Sequence, residues 1–241
     1  MIMYSVNDSV KHYLDLCRIS NLPTVWTNVL TAVVLSGKGF SWSDFLLLSL
    51  SMSLFYSGGM CLNDILDRTV DGIKKPFRPI PSGRISLRKA ALFTTILFAA
   101  ALGLLFLMPY KKAVLAGWLL LAIIAAYDIF HKAHPLAVLL IGGCRFMIFA
   151  VCSLALAGLL VSAAMIAGMF HFVYIMIVSV AARYENNLGK PFDFPIIPVM
   201  IAGISLLDGI LMALFVSPAW ILAGCAGALL THYGQRFVKG D

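Results

Sequence analysis

The chain has 241 residues, of which 61% are hydrophobic and 12% are charged, and its formal net charge is +7. Soluble domains carry roughly 25% charged residues, and a mean hydropathy of +0.94 leaves too little polar surface to coat a water-soluble globule. Composition therefore dictates an all-α, polytopic membrane bundle, because open strands cannot satisfy their backbone in lipid.

The opening segment MIMYSVNDSVKHYLDLCRIS has no basic stretch leading into an apolar core and a small-residue cleavage site, so it does not read as a signal peptide. Spans are predicted at 21–37, 44–62, 87–108, 112–129, 136–157, 163–182, 195–216 and 218–234, about eight transmembrane helices in all. The first is short and the last is rich in Gly and Ala. No repeat or low-complexity tract divides the chain, so residues 1–241 are read as a single domain. With the N-terminus inside, fourteen of the eighteen Lys and Arg residues fall in inside segments, three fall outside, and Arg145 lies within a span. The positive-inside rule then places both termini in the cytoplasm. This accounts for the net charge without nucleic acid, since no basic-aromatic surface exists beyond these loops. The polar segments 63–89, 127–134 and 183–193 all share that side. The five cysteines show neither a CxxC pair nor metal-ligand spacing and read as small core residues.

The second span continues into NDILDRTVDGIKKPFRPIPSGRIS, residues 63–86. Offsets of three and four residues put Asp64, Asp67 and Asp71 on one helical face. Stacked carboxylates repel unless a cation joins them. Oxygen-only donors favour a hard ion such as Mg2+, which is commonly shared between carboxylates and phosphate oxygens, and Asn63 could add a carbonyl oxygen. Lys74, Lys75, Arg78 and Arg84 follow at once. Arg offers a planar fork for phosphate oxygens and Lys a point charge, so metal and cations together suit a diphosphate. PFRPIPSG, with three prolines and a glycine, is expected to form a shaped loop over the acids rather than a helix.

This stretch resembles the first Asp-rich motif of the UbiA superfamily of intramembrane prenyltransferases, N-D-x-x-D-x-x-x-D followed by K-P-x-R-P-[IL]-x-x-G. The similarity extends more weakly over about 13–234, through RISNLPTVWTNVL at the first span and YDIFHK at the end of the fourth. The resemblance implies a helical bundle around a cytoplasm-facing cavity, in the inner membrane of a bacterium. It implies transfer of a prenyl group from a prenyl diphosphate to an acceptor, often an aromatic ring, with Mg2+ as cofactor. Carried over by position, Asn63, Asp67 and Asp71 would bind the metal with Asp64 beside them. Lys75 and Arg78 would contact the diphosphate, Arg18 and Asn21 would lie near the same mouth, and Tyr127 would line the cavity. No protein partner is implied.

The second Asp-rich motif of that family is reduced here to SVAARYENNLGKP, where Glu185 is the only carboxylate until Asp193. Three readings stay open: a single metal with Arg183 supplying part of the missing positive charge; Glu185 and Asp128 completing a different metal shell; or a non-catalytic protein that binds or transports a prenylated lipid. The R-x-E motif, with YD…K and GGCR, is similar to a divergent EboC-like branch. Arg145 in the fifth span is expected to face a cavity or a partner, and Lys132 and Arg84 are grouped with the substrate-binding cations. His131 and His134 read as a polar loop, His171 as a satisfied core histidine, and Asp208 as an intramembrane carboxyl with no obvious partner in the sequence, open to either a buried structural hydrogen bond or a functional role.

Overall fold

The computed structural model describes residues 6–188 and 194–238. Lys190, Asp193 and Lys239, used in the sequence reading above, lie outside the described residues. Among those described there are no strands. The helices are α1 (Val6–Leu16), α2 (Leu22–Leu35), α3 (Trp42–Lys74), α4 (Leu87–Leu105), α5 (Lys112–Phe130), α6 (Ala137–Ala157), α7 (Ser162–Leu188), α8 (Ile196–Phe215) and α9 (Ile221–Gly234). Short 3-10 turns, Ile19–Asn21 and Pro218–Trp220, lead into α2 and α9.

Six of these helices, α3 to α8, are long and apolar enough to cross a membrane. The two spans predicted as weakest are the two that come out short, since α2 and α9 have 14 residues each. At 1.5 Å per residue such a helix covers about 21 Å, against a hydrocarbon core of about 30 Å. Six helices thus meet the length of a full span, and α2 with the turn before it forms a shorter apolar helix, Ile19–Leu35, so length alone does not reproduce the predicted count of eight. By the same measure the 33 residues of α3 reach about 50 Å, so one end must project beyond the apolar layer. That end carries Asp64, Asp67 and Asp71, all within the helix.

Local signals explain the boundaries. Ser41 and Ser86 cap α3 and α4, their hydroxyls accepting from the backbone N–H of Asp44 and Lys89. Gly158 ends α6 at φ +70, and a Cβ there would also strike the ring of Tyr110. Residues 75–86 form turns, as the prolines predict, pinned by the amides of Ser82, Gly83 and Ile85 bonding to the carbonyls of Arg78, Ile80 and Pro79 at 3.0 Å each. Ile80 and Ile85 bury themselves in a small core with Leu16, Cys61 and Leu97. The loop is thus anchored over the end of α3 rather than hanging free of it.

The principal core joins α2 through α8, with Phe55 and Phe149 fully buried. Close packing of α8 on α9 depends on small residues, as is usual where lipid removes the hydrophobic drive between helices. A Cβ on Gly224 would lie 2.7 Å from the Cα of Gly209, and one on Gly227 would lie 2.5 Å from the methyl of Thr27 in α2. Gly224→Ala is expected to force α8 and α9 apart and destabilise the protein by about 1–3 kcal/mol. Thermal unfolding in detergent, with the exposed Gly72→Ala as control, checks this.

Candidate active site

The projecting end of α3 is a neutralised acid cluster. Asp64 Oδ1 accepts from Arg18 at 3.2 Å and from Arg78 at 3.0 Å. Arg78 also reaches Asp71 Oδ2 at 2.6 Å, so one guanidinium from the proline-rich loop ties two carboxylates seven residues apart. Asp67 faces another neighbour: Lys132 Nζ lies 2.6 Å from one oxygen and His131 Nε2 lies 3.3 Å from the other. All three aspartates are buried. A buried carboxylate without a partner is costly, so these pairs hold the N-terminal segment, the loop at 75–86 and the corner after α5 against α3. Arg18 does so from a left-handed backbone, φ 47 and ψ 50, a region costing a non-glycine residue about 1–2 kcal/mol. Arg183 on α7 braces the same corner by donating to the carbonyls of His131 and Pro135 at 3.2 and 3.1 Å.

Behind this rim lies a cavity of about 310 Å3, lined mainly by apolar side chains such as Met52, Phe55, Ile148 and Ile204. Its polar lining includes Asn21, Tyr56, Tyr127, Asp128, Arg145 and Ser179. Asp64, Asp67 and Asp71 are not on that wall. The link to it is Asn63, whose amide donates to Asp128 Oδ1 at 3.3 Å. The second oxygen of Asp128 is buried without a partner.

The structure thus gathers Arg18, Asn63, Asp64, Asp67, Asp71, Arg78 and Lys132 at one end, and places Asn21, Tyr127 and Arg145 on the cavity wall. Lys75 is half-buried at the end of α3, and Glu185 is half-buried near the end of α7. Arg84 is exposed on the loop, outside these ion pairs. The donors suit a hard cation by chemistry: three buried carboxylates, an amide oxygen on Asn63 and the orphaned oxygen of Asp128. Among the described residues no three acidic, His or Cys groups converge to hold a metal, because the carboxylates grip cations instead.

Two polar groups gain partners that the sequence did not identify. His131 belongs to the acid cluster rather than to an idle loop, and only its place beside Lys132 could have hinted at that. Asp208 is not alone: Asn28 donates to Oδ2 at 2.7 Å, and His171 Nε2 lies 3.2 Å from Oδ1. Two ionisable residues in neighbouring apolar runs were the available signal.

The class defined by this fold and site is an integral-membrane helical bundle with a charged mouth over an apolar cavity. The chain belongs to the UbiA prenyltransferase family, which it matches over residues 22–240. It is 36% identical over 123 residues to the digeranylgeranylglyceryl phosphate synthase of Sulfolobus acidocaldarius, covering 50% of this chain and 42% of that protein. The match to the synthase of the same name from Methanothermobacter thermautotrophicus is 27% over 227 residues, covering 90% of this chain and 78% of that one. The chain matches less than half the length of the first of these curated relatives. In three dimensions it resembles a UbiA homologue from Archaeoglobus fulgidus bound to DMAPP and Mg2+, with TM-score 0.63, 19% identity, and coverage of 94% of this chain and 98% of that one.

Asp67 holds the imidazole of His131 above its ordinary pKa of about 6.5, chiefly through their hydrogen bond. A raised pKa adds stability that is complete below the unfolded value and fades as pH rises through the folded one. In the metal-free protein, the thermal midpoint of wild type relative to His131→Gln is therefore expected to fall as pH is raised from about 6 to about 9. An offset independent of pH contradicts the pairing.

Proposed function

We propose that the protein is a Mg2+-dependent prenyltransferase. It would move a prenyl group from a prenyl diphosphate to an acceptor while the diphosphate stays at the charged mouth. The observation that carries this is the junction of the two zones. Buried acids interleaved with Arg18, Arg78 and Lys132 abut an apolar cavity through Asn63 and Asp128. One zone suits a metal-bridged polyanion and the other a hydrocarbon chain.

Asn63, Asp64, Asp67 and Asp71 would hold the metal, with Glu185 or Asp128 as further ligands. When bound, Mg2+ would neutralise charge developing on the departing diphosphate. Lys75 and Arg78 contact the leaving group, with Arg18, Arg84, Lys132 and Arg183 adding positive charge around it. Asn21 and Tyr127 mark the passage from mouth to cavity, and the ring of Tyr127 offers its face to positive charge at the allylic carbon. The apolar wall limits capture of that carbon by water. The relatives named as synthases and the homologue bound to DMAPP and Mg2+ support the same chemistry. Residues 1–241 act as one unit in this reading. The distribution of Lys and Arg supports an orientation with termini and mouth in the cytoplasm, in a bacterial inner membrane.

A second reading is supported by the reduced second motif: a protein that binds or carries a prenylated lipid without turnover. Release of diphosphate from geranyl diphosphate by purified protein in lipid separates the two. Release is expected with Mg2+, lost with EDTA, and reduced at least about 100-fold in Asp67→Ala. Binding without release favours the carrier, and release that persists in EDTA overturns the metal's role.

A further inference from the structure

Two of the five cysteines meet beside the acid cluster. Cys17 lies in the turn that follows α1, and Cys61 lies within α3. Their sulfurs stand 3.9 Å apart although 44 residues separate them along the chain. Among the described residues no other two cysteine sulfurs bond to each other, and all five are free thiols. Cys61 has no exposed surface and Cys17 is 7% exposed. Both belong to the small core with Leu16, Ile80, Ile85 and Leu97. The proposed prenyl transfer uses neither thiol.

Cys17 immediately precedes Arg18, and Cys61 stands three residues, about one helical turn, before Asp64. Arg18 and Asp64 are themselves joined at 3.2 Å. The segment after α1 is therefore tied to α3 by two adjacent rungs, one ionic and one of sulfur. The ionic rung opens whenever another cation takes Asp64. The sulfur rung, as thiols, is a single weak hydrogen bond. As a disulfide it becomes covalent. An S–S bond is about 2 Å long, so the sulfurs have about 2 Å to close. Because Cys17 stands in a turn outside α1, rotation of the two side chains and a shift of that turn can supply the approach without unwinding either helix.

We infer that Cys17 and Cys61 are a redox modification site: an oxidant of the peroxide class joins them in a disulfide that locks the segment carrying Arg18 to α3, and a thiol reductant reopens it. The thiolate of Cys17, the less buried of the two, attacks one oxygen of hydrogen peroxide. The O–O bond breaks, hydroxide leaves and takes up the proton that Cys17 gave up, and a sulfenic acid remains. The thiol of Cys61 then attacks that sulfur. The S–S bond forms, the S–O bond breaks, and the hydroxyl departs with the Cys61 proton as water. Two thiols lose two electrons, and the peroxide becomes two molecules of water. Surroundings that hold glutathione reduced keep the pair as thiols, so the disulfide marks oxidative exposure. Locked in this way, Arg18 stays beside Asp64 even where the ion pair alone would let it swing out. None of this depends on the prenyltransferase reading.

Peptide mapping tests the site on the whole protein in detergent, with free thiols alkylated before unfolding. Trypsin releases residues 12–18 and 39–68, which contain Cys17 and Cys61. After stoichiometric hydrogen peroxide, these two peptides are expected to be joined in non-reducing mass spectrometry, and dithiothreitol to separate them. The oxidised protein is expected to melt about 5 °C or more above the same sample after dithiothreitol, since the bond closes a long loop. Dithiothreitol leaves methionine sulfoxide untouched, so the comparison isolates the disulfide, and Cys17→Ser is expected to lose the shift. In the reduced protein Arg18→Gln is expected to speed amide exchange over residues 12–18 at least about fivefold, and oxidation to cancel most of that gain. No cross-link, a cross-link to Cys144, Cys152 or Cys225 instead, or a melting point that dithiothreitol leaves unchanged overturns the inference. So does exchange in Arg18→Gln that is equally fast in the reduced and oxidised states. The peptide map and the melt need only wild type, so a variant that folds poorly leaves the site open to refutation.

Discussion

The rest of the structure depends on keeping three buried carboxylates on one helix neutral. Asp64, Asp67 and Asp71 occupy successive turns of α3 where the helix leaves the apolar layer, and burial makes each intolerable alone. The cations that quiet them come from three separate segments: Arg18 before α2, Arg78 from the proline-rich loop, and His131 with Lys132 after α5. Each segment is placed by the carboxylate it serves. In the proposed reaction the same groups would serve a polyanion, a metal at the carboxylates freeing Arg and Lys to face phosphate oxygens. The ion-pair network and a substrate-holding network would then be two pairings of one set of side chains.

The interior divides electrostatically in a way the mouth alone would not suggest. The cavity wall is largely apolar, which suits a hydrocarbon chain, yet it includes Asp128 near the Asn63 link and Arg145 further in. A carboxyl near the mouth and a guanidinium further in, on a mostly apolar wall, give the chamber a direction. Arg145 also fixes α6 to α2 through Thr24 and Asn28, so its position is set by the scaffold and not by a flexible loop.

Much of this was legible in the sequence. The composition required a membrane bundle, and the offsets of Asp64, Asp67 and Asp71 in one apolar-flanked helix announced the cluster. Arg78 was named as a ligand for phosphate, and the structure shows what else it does: it joins Asp64 to Asp71. Spacing could not reveal that Asp67 turns toward His131 and Lys132, because that pairing joins residues 64 and 65 positions apart and depends on how α5 packs on α3. The Asp208–His171 contact was hidden for the same reason. Each residue looks solitary within its own apolar run, and only the packing of α7 against α8 and α2 makes them a pair. The two spans flagged as weakest are the shortest apolar helices, α2 and α9 having 14 residues each.

Arg18 is the only residue other than glycine at positive φ among those described. Its guanidinium grips Asp64, while its amide donates to the carbonyl of Asp15 and its carbonyl accepts from the amide of Asn21, both at 3.1 Å. The acid cluster is thereby stitched, through one residue, to the turn that joins α1 to α2.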